Sequence, residues 1–361
     1  MDSIFKGKKV LITGHTGFKG SWLTLWLKEL GAEIIGYSLP PPTEPNLFEA
    51  CRLEEMIAHY TGDVRDIHHL QQVFNTHNPE IVFHLAAQPL VLEGYRSPKE
   101  TFDTNIGGTV NVLEVIRNTS SVKAAVIVTT DKVYKNNECP VGYREQDVLG
   151  GCDPYSASKA ASELVIDSYR RSFFADNSDC GIASARAGNV IGGGDFSAFR
   201  ILPDCMRSLA SGTPIEVRHP KSVRPWLHVL DALSGYLLLA EHLLKRDPQA
   251  CDAWNFGPLE RQGICVEDIV EKAIQVWGQG DWIDKEDPHA KKETNLLQLN
   301  WDNALNHLQW KPRWTWEQAV EQTVLWTKAY TAAKDQNHYE LTKTHLQQYL
   351  GKQLCSLHHS L

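Results

Sequence analysis

The stretch that most constrains the fold is the glycine-rich segment GHTGFKG at residues 14–20. It directly follows an apolar run, residues 8–13, and it opens a stretch with helical spacing, residues 18–30, which Gly31 ends. Glycines at these positions allow a tight turn and let backbone N–H groups approach a pyrophosphate, whose negative charge is favoured at the N-terminus of a helix. The order of strand, glycine loop and helix therefore predicts the first βα unit of a dinucleotide-binding domain.

Apolar runs and helical stretches continue to alternate beyond this unit. Three more strands are predicted, at residues 33–37, 81–86 and 124–128, and two more helices, at residues 98–117 and 154–173. This alternation predicts an α/β fold with a doubly wound parallel sheet of the Rossmann type. Since the strands are apolar throughout, helices are expected to cover both faces of the sheet.

The residue pattern changes after about residue 190, where the helical stretches become shorter and glycines, prolines and tryptophans lie between them. We predict a dinucleotide-binding domain over residues 1–190, to which some later segments return. A mainly substrate-binding domain is expected over residues 191–335, followed by a polar helical tail over residues 336–361.

Composition and charge argue against several classes of protein. The chain carries a net charge of −8, whereas a general nucleic-acid binder needs a basic face. No run of roughly 18 apolar residues offers a membrane span, and the N-terminal residues do not resemble a secretory signal. The eight cysteines form no C-x-x-C pair, and the histidines show no recognisable metal-ligand spacing. We therefore expect a cytoplasmic protein that binds no nucleic acid, no membrane and no metal ion.

Tyr155 and Lys159 are four residues apart on a predicted helix, so they share one face of it. A tyrosine titrates near a pKa of about 10, and a neighbouring ammonium lowers that pKa, so that the pair can remove a hydroxyl proton. The spacing alone is also that of an ordinary exposed helix pair. Its position favours catalysis, because the preceding strand ends in Thr129-Thr130-Asp131-Lys132 and ligands bind at the carboxyl ends of parallel strands.

The G-x-x-G-x-x-G spacing, in this context, resembles the extended branch of the short-chain dehydrogenase/reductase superfamily. The resemblance implies NAD as the cofactor and implies a set of residues that contact it: Gly14, Thr16, Gly17, Phe18, Gly20, Asp63, Val64, Leu85, Ala86, Ala87, Gln88, Asn105, Tyr155 and Lys159. The carboxylate that usually ends the second strand and holds the ribose is replaced by Ser38. The residues themselves therefore do not decide between NAD and NADP as the cofactor. The position of Asp63 is also typical of an aspartate in an ordinary turn.

Asp131 and Lys132 distinguish two activities within that superfamily. An epimerase needs only the tyrosine, the lysine and a threonine, which Thr130 matches, whereas sugar-nucleotide 4,6-dehydratases add an acid and a base, usually Asp-Glu. After carbon 4 is oxidised, one group must remove the carbon 5 proton and another must protonate the departing carbon 6 hydroxyl. A solvated ion pair at the strand end is the competing interpretation.

Lysine in place of the glutamate resembles the CDP-glucose 4,6-dehydratases, as do the segments at residues 13–22, 186–195 and 224–226. The resemblance extends from about residue 5 to about residue 330. It implies that Thr130 orients the substrate and that Tyr155 takes the carbon 4 hydroxyl proton. Lys132, if neutral, takes the carbon 5 proton, and Asp131, if protonated, assists loss of water from carbon 6.

The same resemblance implies CDP-glucose as the substrate and a homodimer or larger assembly, paired through the helices at residues 98–117 and 154–173. Arginine suits a diphosphate because its planar fork binds two oxygens. The residues expected to contact the substrate are Gln88, Thr130, Arg186, Asn189, Arg200 and Arg224. A sugar-nucleotide 4-epimerase, a dehydratase for another nucleotide-hexose and a non-catalytic dinucleotide sensor remain alternatives.

Overall fold

The structure is a computed structural model, and it describes residues 4–175, 179–285, 296–333 and 336–351. The strands are β1 (Lys9–Thr13), β2 (Glu33–Ser38), β3 (Ala58–Thr61), β4 (Ile81–His84), β5 (Ala124–Val128), β6 (Gly181–Ala187), β7 (Asn189–Ile191), β8 (Ile215–Val217), β9 (Val223–Arg224), β10 (Trp226–His228), β11 (Ala253–Phe256), β12 (Ile264–Cys265) and β13 (Trp282–Asp284). The helices are α1 (Phe18–Glu29), α2 (Leu47–Ala50), α3 (Ile67–His77), α4 (Val91–Arg96), α5 (Pro98–Phe102), α6 (Gly108–Arg117), α7 (Pro154–Phe173), α8 (Ile201–Ser211), α9 (Val229–Leu244), α10 (Val266–Trp277), α11 (Asp302–Leu308), α12 (Trp316–Ala332) and α13 (Tyr339–Leu350).

The central sheet has seven strands in the order β11-β6-β5-β4-β1-β2-β3. Every pair of neighbours in it is parallel, which confirms the predicted doubly wound α/β fold. The order reverses between β1 and β4, and a sheet of this kind binds its ligands outside the carboxyl ends of the strands at that reversal.

Side chains of each strand alternate between two apolar layers, one on each face of the sheet. In β1, Val10 and Ile12 pack into a core layer with residues of α1 and α9, whereas Leu11 packs into a second layer with residues of α3, α6 and α7. Because both faces are covered, the strands contain few polar residues, and this explains the continuous apolar runs in the sequence.

The helical stretch predicted at residues 98–117 is interrupted in the structure. It is divided into α5, a turn of π-helix at Asp103–Gly107, and α6. Apolar spacing continues through the interruption, so the sequence pattern does not reveal it. Turns of π-helix inside α-helices often mark functional sites, and this one contains Asn105, a predicted site residue.

The chain returns to the sheet after residue 190. Helix α9 packs against β5 and β6, and β11 forms the edge of the sheet beside β6. Residues of α8, β8, β10, α10 and α12 form a separate apolar cluster. The division near residue 190 stays a prediction, and we propose that α9 and β11 are the segments that return to the dinucleotide-binding part.

Helix α13 differs from the predicted polar tail, because one of its faces is buried. The Tyr349 hydroxyl donates to Asp231 Oδ1 at 2.8 Å, and the Tyr339 hydroxyl donates to Glu29 Oε1 at 2.6 Å. Leu346 lies in the same apolar layer as α1. The end of the predicted tail, residues 352–361, lies outside the described residues. Within the described ranges, no helix combines the length and the apolar character needed to cross a membrane.

Candidate active site

The glycine loop between β1 and α1 is shaped by close backbone approaches. Gly14 has φ +76°, and a Cβ placed there would lie 2.6 Å from the backbone nitrogen of Ala86. A Cβ at Gly20 would lie 2.1 Å from the carbonyl oxygen of Gly14. Gly17 is the N-cap of α1 and has no side-chain cap, so no side chain competes for the first backbone N–H groups of the helix. The loop thus presents a cradle suited to a pyrophosphate.

The end of β2 carries hydroxyl groups where a ribose-binding carboxylate is usual. The Ser38 hydroxyl lies 2.8 Å from the Thr16 hydroxyl, which in turn lies 2.9 Å from the carbonyl oxygen of Leu39. Asp63, after β3, forms a salt bridge with Arg65 at 2.5 Å. This ion pair fits the interpretation of Asp63 as a turn residue. The contact of Asp63 with the adenine stays a prediction.

Asn105 joins the segment after β4 to helix α7. Its Oδ1 accepts from the backbone N–H of Gln88 at 2.8 Å, and its Nδ2 donates to the Gln88 carbonyl at 3.1 Å and to the Ser158 hydroxyl at 2.8 Å. Leu85, Ala86, Ala87 and Gln88 are half-buried in that segment. Val64 is buried and lies so close to Gly108 that a Cβ there would come within 2.7 Å of it. Asn105 therefore positions the predicted nicotinamide side of the site.

The residues that follow β5 form a short 3₁₀ turn, Asp131–Val133, capped by Thr130. The Thr130 hydroxyl donates to Asp131 Oδ1 at 2.9 Å. Asp131 is 1% exposed, and its Oδ2 has no hydrogen-bond partner among the described residues. Burial raises the pKa of Asp131, against the opposing effect of Lys132 and of the Thr130 hydroxyl. A buried carboxyl with a raised pKa and an open oxygen is suited to donate a proton.

Tyr155 and Lys159 lie on α7 and are both buried. Lys159 Nζ donates to the Val128 carbonyl at 3.3 Å, and burial lowers the pKa of Lys159 to about 8, with Glu163 opposing. The pKa of Tyr155 is not lowered as predicted from its spacing to Lys159. Burial raises it to about 12, and the hydrogen bond with Thr130 opposes this only in part. The physical reason is that a desolvated phenolate is disfavoured more strongly than its neighbours stabilise it.

One cavity at the carboxyl end of the sheet brings most of the predicted catalytic residues together. The predicted site residues that line it are Phe18, Thr130, Asp131, Lys132, Tyr155, Asn189, Arg200 and Arg224. Arg200 forms a salt bridge with Asp195 at 2.9 Å. Lys132 is half-buried at the wall. No group of three or more metal-ligating side chains occurs in the described part of the chain.

Arg186 does not line this cavity, so we correct its predicted place in the diphosphate site. Its guanidinium donates to Glu163 Oε2 at 2.7 Å and to the Tyr134 hydroxyl at 2.8 Å. The side chains of Arg186 and Glu163 are only 4% and 3% exposed. Both terminal nitrogens of this buried guanidinium are hydrogen-bonded inside the protein, so Arg186 ties β6 to α7 and offers neither of them to the cavity. Gln88 also lies outside the cavity lining, hydrogen-bonded to Thr101 at 2.8 Å.

Glu163 and Lys19 are two residues of the site that the sequence pattern did not predict. Glu163 comes one turn after Lys159 on α7 and accepts hydrogen bonds from Thr129, Ser184 and Arg186; its spacing of four from Lys159 was a signal for it. Lys19 stands inside the glycine segment and lines the cavity. The glycine pattern of that segment predicts only backbone contacts with a pyrophosphate, so it indicates no function for the side chain of Lys19.

Known proteins resemble the chain in sequence and in fold. It is 44% identical over 92% of its length, and over 94% of the relative's length, to the CDP-glucose 4,6-dehydratase of Salmonella typhimurium. Among solved structures, a UDP-glucose 4-epimerase from Thermotoga maritima superposes with a TM-score of 0.77 at 22% identity, covering 89% of this chain and 99% of that one. A dTDP-glucose 4,6-dehydratase from Bacillus anthracis superposes with a TM-score of 0.76 at 21% identity, covering 92% and 100%.

The family comparison agrees with the geometry of the site. A dinucleotide cradle at β1, a threonine at the end of β5 and a tyrosine–lysine pair on α7 occur together in the structure. The sequence model described as "NAD dependent epimerase/dehydratase family" matches residues 10–257, which contain all of these features. The chain belongs to the NAD dependent epimerase/dehydratase family.

Proposed function

We propose that the protein removes water from CDP-glucose and forms CDP-4-keto-6-deoxyglucose. The observation that carries this proposal is that Asp131 and Lys132 line the same cavity as Thr130 and Tyr155. The last two, with Lys159, suffice for an epimerase. An additional acid and an additional base at the same wall are what an elimination across carbons 5 and 6 requires.

The residues present fit NAD. Gly14 and Gly20 leave no room for side chains and so keep the cradle open to a pyrophosphate, and the uncapped N-terminus of α1 suits its charge. Gly14, Thr16, Gly17, Phe18 and Gly20 would hold the diphosphate end, and Asn105, Tyr155 and Lys159 would lie toward the nicotinamide. When bound, NAD would supply the acceptor for the hydride of carbon 4 and the donor of a hydride to carbon 6, so the overall reaction has no net redox change.

Each residue of the cavity has a role set by its contacts. Tyr155 acts as a phenolate, which the neighbouring Lys159 ammonium stabilises, and it becomes neutral when it accepts the carbon 4 hydroxyl proton. Thr130 orients the sugar at the end of β5. Lys132, as the neutral amine, takes the carbon 5 proton and becomes an ammonium. Asp131, kept protonated by burial, which raises its pKa, gives a proton to the departing carbon 6 hydroxyl.

The diphosphate and nucleoside would extend toward Asn189, Arg200 and Arg224, which line the same cavity. Arg200 is held by Asp195 at 2.9 Å, so its position is fixed before a ligand arrives. Two arginines that line one cavity, in a protein of net charge −8, suit a local anion site.

A turnover assay with CDP-, dTDP-, UDP- and GDP-hexoses tests the proposal directly. We expect a 4-keto-6-deoxy sugar from CDP-glucose at a higher kcat/KM than from the other three, with no net accumulation of NADH. A Tyr155→Phe variant serves as the inactive control. Formation of CDP-galactose alone would identify a 4-epimerase, stoichiometric NADH would identify a plain dehydrogenase, and binding of NAD without turnover of any hexose would identify a dinucleotide sensor.

We propose that the protein forms a homodimer through α4, α5 and α7. Large apolar side chains are exposed on these three helices, in contrast to the buried cores around them: Leu92, Tyr95, Phe102, Leu164 and Phe173. A two-fold axis through this surface would cover it with the same surface of a second copy. The cysteines that the structure describes are all free thiols, which supports a cytoplasmic location.

Leu164→Glu is expected to convert this dimer into a monomer. Leu164 is 63% exposed in the single chain, and in an isologous interface one substitution buries two unpaired charges. Sedimentation at micromolar concentration checks the result. Val148→Glu, an equally exposed apolar position (70%) outside the three helices, is the control and should leave the dimer intact. A wild-type protein that sediments as a monomer contradicts the proposal.

A further inference from the structure

Lys19 places a positive charge where the local structure disfavours one. It lies in the first turn of α1, at the positive end of the helix dipole, where acidic side chains are stabilising and basic ones are not. Burial, together with the charges of Arg200 and Lys159, lowers the pKa of Lys19 to about 8 against the opposing effect of Asp131 and Asp195. A residue that conflicts with its local surroundings is expected to serve a function.

The ammonium of Lys19 also lacks a polar partner. Across the ranges that the structure describes, its Nζ makes neither a hydrogen bond nor a salt bridge, and it lies 5.9 Å from the ring centroid of Tyr236. The Tyr236 hydroxyl, fully buried, is likewise without a partner there. An aromatic face stabilises the cation only weakly compared with a hydrogen-bonded anion. The ammonium is therefore available to a group that enters the cavity.

Asp131, which lines the same cavity, provides a second polar atom without a hydrogen-bond partner. Its Oδ1 is occupied by Thr130, whereas Oδ2 is buried and has no partner in the described residues. Gly188 borders this oxygen so closely that a Cβ there would lie 3.2 Å from it. Lys19 and Asp131 both line the cavity, and the charge of each affects the other. A donor and a carboxyl oxygen that both lack a partner, on two residues that line one cavity, are suited to bind a hydroxyl group.

We propose that Lys19 is a further catalytic residue, which hydrogen-bonds the carbon 6 hydroxyl of the substrate and works with Asp131 when that hydroxyl leaves. The inference rests on the proposed dehydratase function. Asp131 gives its proton to the carbon 6 oxygen, the C6–O bond breaks with its electron pair on that oxygen, and water departs. The C5–H pair forms the C5=C6 bond as Lys132 takes the proton. Asp131 becomes a carboxylate, which the Lys19 ammonium stabilises.

The decisive experiment compares two leaving groups. Fluoride leaves without being protonated, so CDP-6-deoxy-6-fluoroglucose does not need the acid site. We expect Lys19→Met to slow turnover of CDP-glucose about 100-fold, the usual worth of a positioned acid, and to slow turnover of the fluoro substrate only a few-fold. Exchange of the carbon 5 proton in deuterated water should stay near the wild-type rate, since Lys132 is untouched.

Three comparisons separate this role from others. Lys19→Arg keeps the charge and should retain most of the activity, and Lys28→Met, an exposed lysine at the other end of α1, should match the wild type. The proposal is overturned if Lys19→Met slows turnover of both substrates equally. It is also overturned if weaker binding of NAD, measured as Kd by equilibrium titration, explains the slower turnover. Either result would assign Lys19 to the cofactor diphosphate. Turnover of CDP-glucose by Lys19→Met at the wild-type rate also overturns it while leaving the dehydratase function intact. A wild type that does not dehydrate CDP-glucose defeats the proposed function itself.

Discussion

Replacing Lys132 with methionine is expected to slow exchange of the carbon 5 proton with deuterated water by a factor of about 100 or more, the usual worth of a positioned base. Methionine keeps the length and apolar stem of the side chain but cannot accept a proton. Tyr155, Lys159 and Thr130 remain, so removal of the carbon 4 hydroxyl proton is unaffected and the reaction should stall before water is lost. Deuterium incorporation in a single turnover, followed by mass spectrometry, measures the effect.

A nearby lysine supplies the control for that experiment. Lys135, three residues farther along the chain, is exposed and does not line the cavity, so Lys135→Met should exchange the proton at the wild-type rate. If Lys132→Met also does so, Lys132 is not the base, and the ion-pair interpretation of Asp131 and Lys132 becomes the better one. The dehydratase proposal would then need another base on the same wall.

Arg186→Met is expected to destabilise the protein by about 3–5 kcal/mol, because it leaves the carboxylate of Glu163 buried without its counter-ion. Glu163 would keep only its hydrogen bonds from Thr129 and Ser184. The double variant Arg186→Met with Glu163→Gln should recover much of the loss, since removing both charges of a buried pair is far less costly than removing one. Urea unfolding followed by circular dichroism measures the free energy of unfolding of each variant.

The exposed pair Lys221–Glu267 provides a matched comparison. Its lysine is 79% exposed and its N–O distance is 2.6 Å, similar to the 2.7 Å of Arg186–Glu163. Lys221→Met should cost no more than about 1 kcal/mol, because exposed pairs contribute little. A stability close to wild type for Arg186→Met, together with a raised KM for CDP-glucose, would instead return Arg186 to the diphosphate site.

Local patterns were sufficient for four of the seven strands of the sheet, β1, β2, β4 and β5, and for the turn after β5. Strands buried on both faces give continuous apolar runs, and the glycine loop has strict steric demands at Gly14 and Gly20, so both are visible in the sequence. Thr130, Asp131 and Lys132 follow directly from the end of β5. A residue that directly follows a parallel strand lies at the ligand-binding edge of the sheet, so its place can be predicted without knowledge of distant contacts.

Features that depend on distant partners were not predictable in the same way. Arg186 looks like a ligand-binding arginine in the sequence, but its counter-ion is 23 residues away on α7 and meets it only because β6 lies beside β5. The pKa of Tyr155 depends on how much of the hydroxyl is buried, and spacing along a helix contains no information on burial. The buried face of α13 was missed because its apolar residues are few and are separated by polar ones.

Helix α13 is synthesised last among the described helices, and this affects how the chain folds during translation. Tyr339 meets Glu29 across 310 residues of sequence, and Tyr349 packs edge-on against Trp26 at 5.8 Å, so α1 lacks part of its covering until α13 has been made. A nascent chain that has already completed β1 through β11 still lacks the part of the cover over α1 that α13 supplies. Because this contact is non-local and forms late, it delays the completion of the core around α1. Until then, the ribosome-bound intermediate exposes apolar surface that chaperones can bind.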